Sequence, residues 1–468
     1  MASQRMRELS LNTALFAVST FGSKLVSFLL LPLYTSVLST ADYGSVDLVT
    51  STVSLLIPVL TLNVQDAVLR FGLGHDAEPE EVLSVGLRAY AGGACLLLLV
   101  LSVLEGLDIL PIDGAYVVYL FAMFMLGALN NILTMYLKSL GHIRVLVVSG
   151  VGSTLVTCVI AIFLLVVLGV GVVGYMAAMA AGSLFAVLTL LVAVRVPRSL
   201  VARPRPGLFL EMVAYSAPLI ANSVAWWVND VSDRYVVTLV CGAAANGVYA
   251  VAFKVPSILS TLQSVFYSAW SISAIKEFDK EDSDGFLGRM YGTYSGAMSL
   301  ACSVIMLLDV PLARILYSNE FFEAWRYVPF LLVGVFLNGM ALFQGCIFSA
   351  ARRTREVSLT TLVGAAASLA SCISLTVLIG PIGAAVATMV GYLFTWIVRT
   401  RVMLKSVARI RVSWHTQIAC LGILVAQAAV ASQPGTQLLQ LVALLALVIL
   451  QRDSIRAVGR RLFRRGGS

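Results

Sequence analysis

The sequence predicts an all-α, polytopic membrane protein of about fourteen transmembrane helices. Three observations carry that prediction. The chain is 59% hydrophobic and only 12% charged over 468 residues, where a soluble protein has about 25% charged residues. Apolar runs long enough to cross a bilayer recur along its whole length. Lys and Arg gather in alternate short loops between those runs. A chain this apolar cannot cover its surface with polar groups, so most of it must face lipid. The 36 glycines suit close helix packing in a bilayer.

A span needs about 20 apolar residues, because a rise of roughly 1.5 Å per residue must cross about 30 Å of hydrocarbon. Read in order, the spans fall near 11–35, 46–69, 83–104, 115–137, 145–168, 172–194, 211–238, 247–273, 290–308, 328–350, 358–379, 383–398, 414–431 and 438–450. The first follows Arg5 and Arg7. It is too long for a signal-peptide core and lacks a small-residue cleavage site, so it reads as a retained span. With the N-terminus inside, 27 of the 32 Lys and Arg lie on the inner side, only Arg314 and Arg326 lie outside, and Lys24, Arg234 and Lys254 lie within spans. That asymmetry orients both termini toward the cytoplasm.

The two halves repeat. Leu31 to Gly44 recurs as Arg234 to Gly247, at an offset of 203 residues. Gly171-Val172-Val173-Gly174 with Gly182-Ser183-Leu184-Phe185 recurs as Gly380-Pro381-Ile382-Gly383 with Gly391-Tyr392-Leu393-Phe394, at an offset of 209. Both offsets equal six spans, an even number, so the halves are parallel repeats. This gives an N-terminal six-helix lobe at 1–200, a C-terminal six-helix lobe at 201–410, and two extra helices with a basic tail at 411–468. The string Gly169-Val170-Gly171-Val172-Val173-Gly174 matches a dinucleotide-binding fingerprint. It lacks the strand–helix setting and the following acid, so it reads as a turn between helices.

Other chemistries find no support. The net charge of +8 is parcelled into inter-span loops, which argues against nucleic acid. The seven cysteines are scattered with no CxxC pair, and the three histidines are isolated. No metal site, disulfide framework or cofactor is expected.

Polar residues within spans are costly, at about 2.5–3.5 kcal/mol or more for a charge at the bilayer centre, and default to function. The seventh span is the most loaded. Tyr215, Pro218, Asn222, Trp226, Asn229 and Asp233 advance by three or four residues along one helical face. Such a face belongs against a wet cavity or a partner helix. Asp230 and Arg234 stand four apart and can pair, with Asp233 alongside. That pair is either a helix-locking bridge or part of a site. Trp226 and Trp227 are either interfacial belt aromatics or a sugar-stacking platform. In the first span Asn12, Ser19, Ser23, Ser27 and Tyr34 share a face edged by Lys24, near mid-membrane. Lys254 adds a third buried cation in the eighth span, and Asp66 with Arg70 reads as an interfacial structural pair.

Tyr215-Ser216-Ala217-Pro218, Asn222, Trp226-Trp227, Asn229 and Asp233-Arg234-Tyr235 resemble the matching stretch of Wzx-type polysaccharide flippases, as do Gly247-Val248-Tyr249-Ala250, Lys254 and Pro256. Lys24, Pro32, Leu38 and Asp42-Tyr43-Gly44 fit the same pattern. That family shares a superfamily with multidrug exporters of the MATE type and lipid II flippases. The resemblance implies two six-helix lobes in a V, followed by two extra helices. It also implies export of repeat-unit oligosaccharides on undecaprenyl diphosphate across a bacterial inner membrane. On that reading Lys24, Arg234 and Lys254 meet the diphosphate. Asn222, Asn229, Trp226 and Trp227 meet the sugars, and Asp230 and Asp233 couple transport to an ion. The partners are the lipid-linked oligosaccharide and membrane lipid, with a polysaccharide polymerase or glycosyltransferase as protein partners to look for. The alternatives are a multidrug or organic-cation exporter, which lone lysines argue against, and a lipid II flippase. An enzyme is not expected, since the longest outer loop, about Asp309 to Tyr327, holds no histidine.

Overall fold

A computed structural model describes residues 22, 24, 26–74, 77–107, 113–194 and 204–452, and every regular element among them is a helix. Eleven of these helices are long and apolar enough to cross a membrane, and two more, joined by a bend, reach that length only together. Val26–Val37 and Gln437–Leu450 are shorter apolar helices. All of these fall in the stretches that the sequence marks out, but among the described residues eleven or twelve rather than fourteen are long enough to cross. Asn12, Ser19, Ser23 and most of the first span lie outside the described residues.

The chain divides into two compact units, 1–227 and 228–468. In the first, α1 (Leu31–Val37) leads into α2 (Thr40–Leu60), α3 (Val64–Gly72), α4 (Pro79–Gly106), α5 (Gly114–Ser139), α6 (Ile143–Ile162) and α7 (Val172–Ala193). Ser39 caps α2: its hydroxyl accepts the Asp42 amide at 3.1 Å and donates to the Asp42 carboxylate at 2.6 Å. The second expected span is broken. Leu62 and Asn63 take left-handed backbone conformations (φ 55° and 51°) between α2 and α3, a rare state for residues with a side chain. Asn63 then donates its side-chain amide to Asp66 at 2.7 Å. Asp66 therefore serves the helix break, and no ion pair joins it to Arg70 among the described residues.

Helix α8 (Leu208–Cys241) runs for 34 residues, about 51 Å at helical rise, and the boundary between the units falls inside it. The second unit continues with α9 (Ala243–Ala252), α10 (Pro256–Lys276), α11 (Phe286–Leu307), α12 (Asp309–Leu316), α13 (Val328–Ala350), α14 (Thr354–Ile379), α15 (Pro381–Val402), α16 (Trp414–Ala431) and α17 (Gln437–Leu450). Helices α9 and α10 meet at a 45° bend where the sequence marks one span near 247–273. Helix α13 is the buried hub, packed against α10, α11, α15 and α16. Lipid tails supply no hydrophobic drive for these contacts, so packing and internal hydrogen bonds hold them. Gln427 exchanges two hydrogen bonds with Ser303, at 2.7 and 3.1 Å, docking α16 on α11.

The sequence repeat has a structural counterpart in each unit. Gly171 and Gly380, both left-handed (φ 66° and 70°), open α7 and α15 at the tips of helical hairpins. The roughly 30 Å of paired helix that follows needs close contact. Gly182 packs on Thr157 and Ser153 of α6, and Gly391 packs on Ser368 of α14. The starts of α2 and α9 also correspond, with Ser39 and Gly242 in the cap positions. Within the run 169–174, residues 169–171 form the turn between helices and 172–174 open α7.

Candidate functional site

Helix α8 carries the most charged and amide residues of any span, and its two ends pack differently. In the first unit the Ser216 hydroxyl donates to the carbonyl of Leu62 at 2.7 Å, at the break between α2 and α3. Tyr215 meets Phe71 edge-on at 6.1 Å. The Trp227 indole N–H donates to the Ser51 carbonyl at 2.9 Å. Trp227 is thus tied into helix packing, whereas Trp226 is 38% exposed. Asn222 and Pro218 are exposed on the same face.

Beyond Trp227 the stripe turns inward. Asn229 is half-buried and Asp233 is 6% exposed. The Asp233 carboxylate collects donors from three places. The Tyr249 hydroxyl of α9 donates to Oδ2 at 2.7 Å, Thr388 Oγ1 of α15 lies 3.2 Å from the same oxygen, and the Arg234 amide donates to Oδ1 at 2.9 Å. Asp230, one turn earlier, accepts the Tyr392 hydroxyl of α15 at 2.9 Å. Arg234 places its guanidinium carbon 5.4 Å from the Phe253 ring centroid. No ion pair among the described residues joins Asp230 to Arg234. Of the two readings of Asp230 and Arg234, the i,i+4 bridge is absent, and the carboxylates instead contact α9 and α15. The tyrosine side chains of α9 and α15 are long enough to reach these carboxylates across the gap between helices, and a buried carboxylate needs such a donor.

The result is a pair of carboxylates held by hydroxyl groups beside a guanidinium, inside one membrane-spanning region. An oxygen-only donor set of this kind suits a proton or a hard cation. Lys254 is exposed at the α9–α10 bend, next in sequence to Phe253. Lys24 is exposed in the first unit. The first unit has its own cluster, of aromatic rather than acidic character: Tyr34 meets Tyr175 at 4.7 Å, and Tyr43 stacks on Tyr175 at 6.0 Å.

Three members of the acidic cluster went unassigned in the sequence. Tyr249 stood in the quoted Gly247-Val248-Tyr249-Ala250 motif and Tyr392 in the glycine repeat, yet neither had a role. Thr388 gave no signal, because a lone threonine in an apolar run is common. Arg399, counted with a loop, is buried within a span.

A family described as polysaccharide biosynthesis protein matches residues 9–271, more than half of the chain. The chain belongs to this family. Among solved structures this family member is similar to the lipid II flippase MurJ in an inward closed conformation. The two share 12% identity and a TM-score of 0.65, covering 97% of this chain and 99% of the other. It is also similar to an inward-facing multidrug resistance MATE transporter of the MOP superfamily, at 13% identity and a TM-score of 0.60, covering 81% and 94%. A single-residue mutant of the Vibrio cholerae MATE transporter VcmN matches at 14% identity and a TM-score of 0.54, covering 84% and 97%. No curated protein sequence gives a significant match. At these identities the structures speak for the fold alone: a polytopic helical membrane protein with the architecture of flippases and transporters.

Proposed function

We propose that this protein is a flippase that moves undecaprenyl-diphosphate-linked oligosaccharide repeat units from the cytoplasmic to the outer leaflet by alternating access. The observation that carries this reading is the cluster on α8, two carboxylates and a guanidinium inside a span, in a member of a polysaccharide biosynthesis family. A carrier of a diphosphate needs cations within the membrane region, and Lys24, Arg234 and Lys254 fill that role. Asn222, Asn229, Trp226 and Trp227 meet sugar hydroxyls and ring faces. Trp227 does so through its ring, since its N–H is engaged. Asp230 and Asp233 are the ion-coupling carboxylates, each able to trade a hydroxyl contact for a proton or cation.

The protein sits in a bacterial inner membrane with both termini cytoplasmic, as the distribution of Lys and Arg directs. It performs no bond chemistry, and a polymerase or glycosyltransferase acts on the same lipid-linked material. Likeness to a MATE transporter supports a second reading, export of drugs or organic cations. Likeness to MurJ supports lipid II as an alternative cargo.

Deletion of the gene, followed by analysis of undecaprenyl-linked intermediates and surface polysaccharide, tests the proposal. Cytoplasm-facing intermediates should accumulate while surface glycan disappears. A change confined to drug sensitivity favours the exporter reading, and accumulation of lipid II alone favours the third.

A further inference from the structure

The cargo reading leaves unused a cluster of cations at one end of the second unit. Arg399, 3% exposed, sets its geometry. Its Nε donates to Thr360 Oγ1 at 3.0 Å, Nη1 to the Ala341 carbonyl at 2.8 Å, and Nη2 to the Val357 carbonyl at 3.1 Å and Thr361 Oγ1 at 2.7 Å. All four acceptors are neutral. The guanidinium therefore fixes the end of α15 beside the start of α14 and leaves its own charge uncompensated. Arg352 and Arg355 around the start of α14, Arg401 at the end of α15 and Lys405 in the helical turn Met403–Val407 that follows consequently share one rim, and all four are exposed. None of them makes an ion pair among the described residues, whereas Arg353 pairs with Glu356 at 3.1 Å.

Apart from Glu356, which pairs with Arg353, the acidic groups at this end gather in one turn. The turn 277–285 holds five carboxylates and one lysine. Its Asp282 accepts the amides of Leu287, Gly288 and Arg411 at 2.9–3.0 Å. Arg409 pairs with Glu281 there at 3.7 Å. Charge is thus segregated along the rim. Membrane orientation needs only the number of inner cations, not their separation from the acids. Helix stability does not explain the whole set: Arg401 and Lys405 suit a helix end, but Arg352 and Arg355 stand at a helix start, where the macrodipole disfavours positive charge.

We infer that this rim docks the headgroups of anionic phospholipids in the surrounding bilayer. Guanidinium groups match phosphate oxygens two at a time, and the ends of spans are where headgroup phosphates lie. The inference is independent of the cargo.

The test titrates phosphatidylglycerol or phosphatidylcholine onto the full-length chain in neutral detergent and counts retained lipids by native mass spectrometry. The wild type should retain phosphatidylglycerol preferentially. The combined variant R352Q/R355Q/R401Q/K405Q should bind it at least ~10-fold more weakly. A control variant with equal charge loss, K276Q/K280Q/R289Q/R314Q, should bind as the wild type does. Raising salt to about 0.5 M should erase the wild-type preference without any substitution, which covers a rim variant that fails to fold. Undiminished binding by the rim variant, equal loss in the control, salt-insensitive preference, or equal competition by inorganic phosphate would each overturn the inference.

Discussion

The Tyr249 hydroxyl donates to Asp233 Oδ2 at 2.7 Å, joining α9 to α8 within the second unit. Tyr249 and Asp233 are both buried, so neither group has water as a substitute partner. Tyr249→Phe keeps the ring and removes the donor. It should lower stability by about 1–3 kcal/mol, the usual cost of orphaning a buried polar group, measured by thermal unfolding of the full chain in detergent. Adding Asp233→Asn should cost less in that background than in the wild type, since the two share one interaction. Strictly additive losses would mean that the contact contributes nothing of its own.

Loss of a membrane-region cation should cost transport rather than folding. Lys24→Ala and Arg234→Ala should each abolish surface glycan while leaving membrane-inserted protein at wild-type levels, read by immunoblot of isolated membranes. Full complementation by both variants would remove the diphosphate-contact role of these residues. Arg234→Ala also removes the contact with Phe253, so its melting temperature should be reported beside the glycan level.

Gly383 tests the hairpin repeat. A Cβ there would collide with the backbone carbonyl and following amide of Leu375 and Thr376, which cannot rotate away as a side chain would. Gly383→Ala should destabilise by about 1–3 kcal/mol. Gly422→Ala in α16 meets nothing within 4 Å and should be near neutral. Chemical denaturation in mixed micelles separates the two outcomes.

Asp309 stands at the start of α12, 1% exposed, with neither carboxylate oxygen hydrogen-bonded. Burial pushes its carboxyl well above the usual carboxylate range, because the charged form loses its hydration. Between the ordinary pKa and the raised one, the folded chain keeps a proton that the unfolded chain has released. Stability therefore falls as pH rises through that window and levels off above it. Asp309→Asn should remove this portion of the pH dependence and raise the melting temperature relative to the wild type at pH 8. An unchanged difference between pH 5 and pH 8 would show that Asp309 does not titrate in this way.

Much of this protein is legible in one dimension. The all-helical character and the series of apolar spans follow from the bilayer itself: backbone polar groups must bond within helices, and about 20 apolar residues are needed to cross. The glycines at 171 and 380 and the caps at 39 and 242 mark equivalent turns because local backbone geometry demands them. The acids and cations of α8 were conspicuous for the same reason, since lipid penalises them.

Partners were not legible. Helical spacing placed Asp230 within reach of Arg234, yet Tyr392 supplies its donor from 162 residues away. Spacing likewise offered Arg70 to Asp66, and Asn63 took that place once the helix broke. Arg399 looked like a loop cation and is a buried brace among three helices. Sequence periodicity says which residues share a helical face. Which side chain meets that face depends on how helices distant in the chain pack, and that is settled only when the tertiary structure brings their hydroxyls and carbonyls within about 3 Å.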